Sequence, residues 1–92
     1  MIRSFRCKKT ERLFKDIFVS AFSGIERQGR KRLLILHAAK ELKDLEFPPG
    51  NKLEKLLGDR HSQYSIRIND QWRICFEWIE GEASNVEITD YH

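Results

Sequence analysis

The sequence predicts an α+β fold in which two N-terminal helices pack on one face of a small antiparallel β-sheet. Apolar residues recur every three or four positions in the first half of the chain and every second position after residue 61. Between these halves, Pro48-Pro49-Gly50-Asn51 stops any helix, since proline lacks an amide donor and Gly-Asn tolerates left-handed backbone angles. A chain of 92 residues suits one core, so residues 1–92 are expected to form a single domain.

The first predicted helix starts at Thr10 and ends near Ser23-Gly24. A short opening strand is expected before it at residues 2–6. The apolar residues of the helix follow helical spacing: Leu13, Phe14, Ile17, Phe18 and Ala21.

A second, longer helix is predicted from a capping box to about Leu45. In this box, the Ser23 hydroxyl and the Glu26 carboxylate would accept hydrogen bonds from backbone amides at the helix start. Gly29 would weaken the helix slightly. The predicted inner stripe consists of Ile35, Ala38, Ala39, Leu42 and Leu45.

Three strands are predicted at residues 64–68, 72–78 and 84–88, joined by turns at residues 69–71 and 80–82. They form an antiparallel meander. Its apolar face is expected to form the core beneath the helices: Tyr64, Ile66, Ile68, Trp72, Ile74, Phe76 and Trp78.

Charge is distributed unevenly along the chain. Residues 1–43 hold 12 Lys or Arg against 4 Asp or Glu, a balance of +8, whereas residues 44–92 hold 5 against 10, a balance of −5. The basic half can follow a phosphate backbone or contact an acidic protein segment, and solvated helix faces explain single charges equally well.

The remaining composition indicates a reduced, cytoplasmic protein. No apolar run is long enough to span a membrane, and the first residues lack the apolar stretch of a signal peptide. Cys7 and Cys75 are far apart in sequence and are expected to be buried, reduced thiols. No metal site is predicted.

Arg67 and Arg73 are the first candidate site. They lie on neighbouring predicted strands, on the face opposite the apolar one, so their guanidinium groups can converge on one anion such as a phosphate. The alternative is that each arginine pairs in water with a carboxylate of Glu77, Glu87 or Asp70.

Tyr91 and His92 are the second candidate site. Both side chains can donate a proton, and histidine does so near neutral pH. The alternative is a frayed terminus. His37 and His61 have no metal-ligand spacing, and we assign them no chemistry.

Three stretches of the sequence resemble the HigB branch of the RelE-like toxins. They are Gly58-Asp59-Arg60, the segment from Tyr64 to Phe76 with its N-D-Q-W-R run, and the terminal Asp90-Tyr91-His92. The resemblance implies a RelE-like fold and a ribosome-dependent endoribonuclease. In such an enzyme the 2′-hydroxyl of the messenger attacks the adjacent phosphate, with no metal or cofactor.

The resemblance also implies roles for the basic residues. Arg73 would hold the scissile phosphate, and Arg67 and Arg60 would assist or bind neighbouring phosphates. Lys52 and Lys55 are further candidates for RNA binding.

At the terminus, the resemblance implies that His92 protonates the leaving 5′-oxygen and that Tyr91 orients the nucleotide or His92. Asp90 would support that pair. The chain departs from better-studied HigB toxins at Leu57 and Glu54, where those toxins have a lysine and a histidine. Lys52, Lys55 or Glu54 is then left to activate the 2′-hydroxyl, or the enzyme is weak.

The resemblance further implies three partners: a HigA-like antitoxin with a helix-turn-helix, the ribosome with its mRNA, and operator DNA bound through the antitoxin complex. A second function also fits the sequence. In it, the chain is a catalytically weak ribosome-binding or corepressor module that acts through its antitoxin.

Overall fold

Two helices and a four-stranded antiparallel sheet form the fold. A computed structural model describes residues 1–58 and 62–90. The elements in chain order are α1 (Lys8–Phe14), α2 (Glu26–Ala38), β1 (Glu54–Lys55), β2 (Gln63–Arg67), β3 (Trp72–Ile79) and β4 (Glu82–Asp90). Short 3-10 turns cover Ser20–Phe22, Leu42–Glu46 and Pro49–Asn51. The strands pair in the order β1-β2-β3-β4, which confirms the predicted α+β class and meander.

The core lies between the helices and the predicted apolar face of the sheet. Ile66 and Ile74 are opposite each other on β2 and β3 and are fully buried, and Leu33 and Leu36 of α2 are fully buried in the same cluster. The remaining members of that face, Ile68, Phe76, Tyr64, Trp72 and Trp78, are buried in the cluster or pack against it. The prediction from alternating hydrophobicity is confirmed.

β1 and the N-terminal segment extend the sheet beyond the predicted strands. β1 was not predicted, because two exposed residues show no period of two. The expected opening strand is reduced to two parallel bridges with β4, from Ile2 to Ala83 and from Phe5 to Val86.

The first helix is much shorter than predicted. α1 ends at Phe14, and Asp16 adopts a left-handed conformation with a φ of 63°. The Ile17 amide donates to the Arg12 carbonyl at 2.9 Å and closes the helix end. Ile17 and Phe18 are consequently 50% and 69% exposed, so they extend the helical spacing in sequence without being part of a buried face.

The second helix begins without the predicted capping box. The Glu26 carboxylate accepts a hydrogen bond from the Gly24 amide at 2.6 Å, but Ile25 takes the N-cap position and no side chain caps the helix. Gly29 is buried, and a Cβ there would lie 3.2 Å from Leu13 Cδ2. This glycine therefore allows α1 and α2 to approach closely.

α2 ends at Ala38 rather than Leu45. The Asp44 carboxylate accepts hydrogen bonds from the Lys40 and Glu41 amides, both at 3.0 Å, and so starts a separate 3-10 turn. The accepted backbone hydrogen bonds also hold the pKa of Asp44 below its ordinary value. Most of the predicted inner stripe is confirmed, since Ala39 and Leu45 are in the core cluster and Ile35 and Leu42 pack against it, but Ala38 is exposed. The fully buried residues of the helix are Leu33 and Leu36, which the stripe did not include.

Cys75 is buried as predicted, whereas Cys7 is only half-buried, and neither forms a disulfide. The Cys7 prediction is wrong because Cys7 immediately precedes α1, at the surface. None of the helices in residues 1–58 and 62–90 has the length and hydrophobicity of a membrane-spanning segment.

Candidate functional site

Arg73 is a nearly buried cation near the start of β3, beside the turn that joins β2 to β3. Only 9% of the residue is exposed. Its Nε donates to the Ser65 hydroxyl at 2.8 Å, and its Nη2 donates to the Lys52 carbonyl at 2.6 Å. A buried charge needs such partners, because a charge that loses its hydration without gaining a partner destabilises the fold by about several kcal/mol. Nη1 takes part in none of the hydrogen bonds found among the described residues.

Asn51 fixes the backbone that presents the Lys52 carbonyl. Its fully buried side-chain amide donates to the Leu45 carbonyl at 3.2 Å and to the Phe47 carbonyl at 3.0 Å. Its oxygen accepts a hydrogen bond from Arg32 of α2 at 2.5 Å. Lys52 itself is left-handed, with a φ of 43°. The loop before β1 is therefore held in place on the polar side of the sheet.

Arg67 is directly opposite Arg73 in the β2–β3 register. It donates a hydrogen bond to the Asp70 carboxylate in the adjoining turn and forms an ion pair with it. This hydrogen bond and the positive charge of Arg67 lower the pKa of Asp70. For Arg67, the ion-pair alternative from the sequence is thus confirmed with Asp70.

For Arg73, the predicted ion-pair partners are wrong. Its contacts are with Ser65, the Lys52 carbonyl and the Glu54 carboxylate, whose Oε1 is 4.0 Å from Nη2. The physical reason is the unpredicted strand β1. It pairs Glu54 with Ser65 and so brings a carboxylate beside the arginine.

The two arginines share a concave site of about 310 Å³, which we call the sheet-face cavity. It combines three cations, two carboxylates and an amide: Lys52, Glu54, Arg67, Asn69, Asp70 and Arg73. An excess of positive charge beside a partly satisfied buried arginine favours binding of an anion.

Two lysines predicted to bind RNA occupy different positions. Lys52 lines the sheet-face cavity, as does Glu54. Lys55 is the next residue of β1 and pairs with Tyr64 of the core face, so alternation places it on the opposite side of the sheet.

The terminal group is only partly described. Asp90 is the last residue of β4 and is opposite Trp72, the neighbour of Arg73 in sequence. Its carboxylate accepts a hydrogen bond from Gln71 at 3.1 Å. Arg60, Tyr91 and His92, all predicted site residues, lie outside the described residues.

Ser65 and Asn51 are functional candidates that sequence reasoning missed. Ser65 belongs to the same strand face as Arg67, a period-of-two signal that was available. Asn51 was interpreted only as a turn residue, and no local pattern shows that its amide binds two carbonyls and an arginine.

The α+β fold and its helix-covered antiparallel sheet are consistent with the RelE-like toxins. Residues 3–92 match the family described as RelE-like toxin of type II toxin-antitoxin system HigB. The chain belongs to this family of HigB-like toxins.

Curated relatives support the same assignment. Over 63 residues, the chain is 44% identical to Toxin HigB-1 of Vibrio cholerae serotype O1, covering 68% of this chain and 66% of that toxin. It is 34% identical to Endoribonuclease HigB of Proteus vulgaris in an alignment that covers 100% of both chains. An uncharacterized protein of Haemophilus influenzae is 34% identical over 56 residues, which cover 61% of this chain and 55% of that protein.

Proposed function

We propose that this toxin is a ribosome-dependent mRNA endoribonuclease that inhibits translation and growth in the cytoplasm. The observation that supports this most directly is the fixation of Arg73, which leaves one amino group for a phosphate in the sheet-face cavity. The relative from Proteus vulgaris is itself named an endoribonuclease.

In the proposed reaction, the 2′-oxygen forms a bond to the adjacent phosphorus and the bond from phosphorus to the 5′-oxygen breaks. The products are a cyclic phosphate and a 5′-hydroxyl. Negative charge accumulates on the phosphate oxygens, and Arg73 stabilises it because its guanidinium is already oriented. Arg67 assists from the opposite strand, once its hydrogen bond to Asp70 gives way to the phosphate.

We assign the general base to Glu54. It lines the sheet-face cavity beside Arg73, whereas Lys55 belongs to the opposite side of β1. A carboxylate can accept the 2′-hydroxyl proton as a general base. Lys52 then contributes positive charge to RNA binding rather than proton transfer.

The proton for the leaving 5′-oxygen comes, in this proposal, from His92, with Tyr91 orienting it and Asp90 supporting the pair. β4 supports this role because its last residue, Asp90, is opposite Trp72, next to Arg73 in sequence. Arg60 and Lys55 are proposed to bind neighbouring RNA phosphates. These assignments need no metal or other cofactor.

Family membership supports pairing with an antitoxin, and the finer partner assignments are part of this proposal. HigB-like toxins of type II systems pair with an antitoxin. We propose that this antitoxin is HigA-like, carries a helix-turn-helix and brings the toxin to operator DNA. Within the family, the N-D-Q-W-R run and terminal D-Y-H also resemble the GraT toxin.

The test is expression of wild type, Arg73→Ala and His92→Gln without antitoxin, with growth scored and mRNA ends mapped. We expect wild type to produce new messenger ends. Both variants should produce them much more slowly. Growth arrest by wild type without any new messenger ends would contradict the proposal. Cleavage by His92→Gln at the wild-type rate would exclude His92 as the proton donor and would leave the nuclease assignment standing.

A second candidate is a weak enzyme that acts mainly by occupying the ribosome or as a corepressor. Leu57 favours it, because this side chain is 86% exposed at the position where better-studied relatives have a lysine. Leu57→Lys distinguishes the two candidates. If wild type is a weak enzyme, the lysine should increase messenger cleavage by about tenfold. This is less than the factor of about a hundred or more that a well-placed general acid or base typically contributes.

A further inference from the structure

A second concave surface lies on the helical side of the molecule, away from the sheet-face cavity. It occupies about 670 Å³ between the end of α1 and the outer face of α2, and we call it the helix groove. Its lining includes the apolar residues Leu13, Leu34 and Ile35, which we call the floor, and the cations Arg27, Arg30 and Lys31, which we call the rim.

The groove has a direction along α2. Arg27, Lys31, Leu34 and Ala38 follow one another at steps of four, three and four residues, so they share one face of the helix. The basic pair is near the beginning of α2, and the apolar pair is near its end. Leu34 is 43% exposed on this face. A segment that fits the whole face must therefore be acidic at one end and apolar at the other.

Arg30 supplies an unsatisfied donor in the groove. Its Nε is buried and has no hydrogen-bond acceptor among the described residues. The nearest charge partner, Asp16 Oδ1, is 3.9 Å from Nε, too far for a hydrogen bond. The buried Nε is out of reach of an incoming group, but the Arg30 side chain as a whole is 39% exposed, so its accessible part can pair with a carboxylate of a bound segment.

The positive charge of the rim is available to a ligand. None of the ion pairs among the described residues involves Arg27 or Lys31. Two carboxylates also line the groove: Asp16 forms the ion pair with Arg30, and Glu26 accepts a hydrogen bond from the Gly24 amide at 2.6 Å. Three cations against two carboxylates leave the groove with an excess of positive charge.

We propose that the helix groove binds an amphipathic segment of the antitoxin. The acidic side chains of that segment contact the rim residues Arg27, Arg30 and Lys31. Its apolar side chains pack against Leu34, Ile35 and Ala38. RNA is a poorer fit, because phosphates make no use of an apolar floor. A second copy is also a poorer fit, because a symmetric contact would bring the same basic rim against itself. The inference rests on the proposed antitoxin pairing and is independent of RNA cleavage.

The test measures binding between the purified toxin and its antitoxin by calorimetry, at low and high salt. We expect Arg27→Glu/Lys31→Glu to weaken binding by about a hundredfold and Leu34→Asp by about tenfold. The charge effect should shrink as salt increases, while the Leu34 effect persists. Lys9→Glu/Lys43→Glu is the matched control, with the same change in net charge at exposed positions outside the groove, and should remain within about twofold.

Placement is checked with a photo-crosslinking amino acid at position 34 and, as control, at position 43. We expect position 34 to crosslink to an acidic, apolar segment of the antitoxin, identified by mass spectrometry, and position 43 not to. Unchanged antitoxin affinity in both groove variants would overturn the proposal. If those variants instead lost ribosome binding, the groove would be an RNA surface and the proposal would also be wrong.

Messenger cleavage by the same variants separates this inference from the proposed function. Groove variants that cleave RNA normally but bind antitoxin weakly support the groove. A toxin that binds antitoxin through the groove and never cleaves RNA would contradict only the nuclease assignment.

Discussion

The sheet-face cavity and the helix groove both contain arginines, but they hold them in opposite ways. Arg73 in the cavity donates to Ser65 and to the Lys52 carbonyl and is almost completely buried. Arg30 in the groove has a buried Nε with no acceptor among the described residues. A fixed cation can stabilise charge that develops during a reaction, whereas the partly exposed side chain of Arg30 can still pair with a charged group of a bound segment.

This difference separates the two proposed functions physically. In the sheet-face cavity, hydrogen bonds within the chain already hold Arg73 in place, so its guanidinium can stabilise charge that develops briefly during a reaction. The groove is completed by its ligand. Substitutions in one surface should therefore leave the other function unchanged, and the predictions below are ordered by the size of the expected effect.

Arg73→Lys should have the largest effect on messenger cleavage. Lysine keeps the charge but cannot donate to Ser65 and Lys52 while presenting a further amino group to phosphate. We expect cleavage of ribosome-bound mRNA to fall by about a hundredfold or more.

The matched control is Arg30→Lys in the helix groove, which should cleave RNA at the wild-type rate. Binding of Arg73→Lys to antitoxin should also be unchanged. An Arg73→Lys variant that retains wild-type cleavage would show that charge alone is sufficient in the cavity, and the contrast with the groove would be lost.

Asn51→Ala should destabilise the whole protein. The substitution removes the two donors and the acceptor that join Leu45, Phe47 and Arg32. Leaving these groups without partners should lower the free energy of unfolding by about 2–3 kcal/mol, measured in urea. Gln28→Ala, an exposed amide on α2, should stay within about 0.5 kcal/mol of wild type.

Cleavage by Asn51→Ala, measured where the variant is still folded, should also fall, because the Lys52 carbonyl is no longer held against Arg73. A fully active, destabilised variant would show that the position of this loop does not matter to the cavity.

Ser65→Ala should lower cleavage by about tenfold with a smaller cost in stability, about 1 kcal/mol. The variant removes the acceptor for Arg73 Nε and leaves the other contacts in place. We expect kcat to fall while the KM for ribosome-bound message changes little, since bound phosphate is held but poorly oriented. Ser84→Ala, another buried serine, is the control for a purely structural effect and should leave kcat unchanged.

The contrast between these residues also shows what the sequence could predict. Alternating hydrophobicity placed Arg67 and Arg73 on adjacent strands, on the side of the sheet opposite the core, and the structure pairs them directly. Strand periodicity worked because one face of each strand is buried, so a shift of one residue would expose the core.

The same reasoning could not predict how Arg73 is held. Its acceptor on Lys52 is a backbone carbonyl 21 positions away, and the contact between Arg32 and Asn51 spans 19 positions. A carbonyl has no residue-type signal, so its position depends on the folded loop. The helix ends were predicted wrongly for a related reason. The left-handed Asp16 follows the end of α1, and the Asp44 carboxylate caps the 3-10 turn after α2, and apolar spacing indicates neither.

Asp70→Asn should have the smallest effect, and the sign is opposite to that of the other variants. Asp70 competes with phosphate for Arg67, so its removal should increase RNA affinity by about two- to threefold, measured by equilibrium binding at constant salt. Arg67 lowers the pKa of Asp70 below its ordinary value of 3.8, so the carboxylate is charged throughout the neutral range. The gain should therefore be constant from about pH 6 to pH 8.

The lowered pKa also fixes the sign for stability. The ion pair stabilises the folded chain above the ordinary carboxylate pKa, and this contribution is lost as the pH falls through the lowered value. Wild type should therefore unfold at a slightly higher temperature than Asp70→Asn near neutral pH, and the two midpoints should converge in strongly acidic solution. An Asp70→Asn variant with weaker RNA binding would show that this carboxylate orients Arg67 for phosphate rather than competing for it.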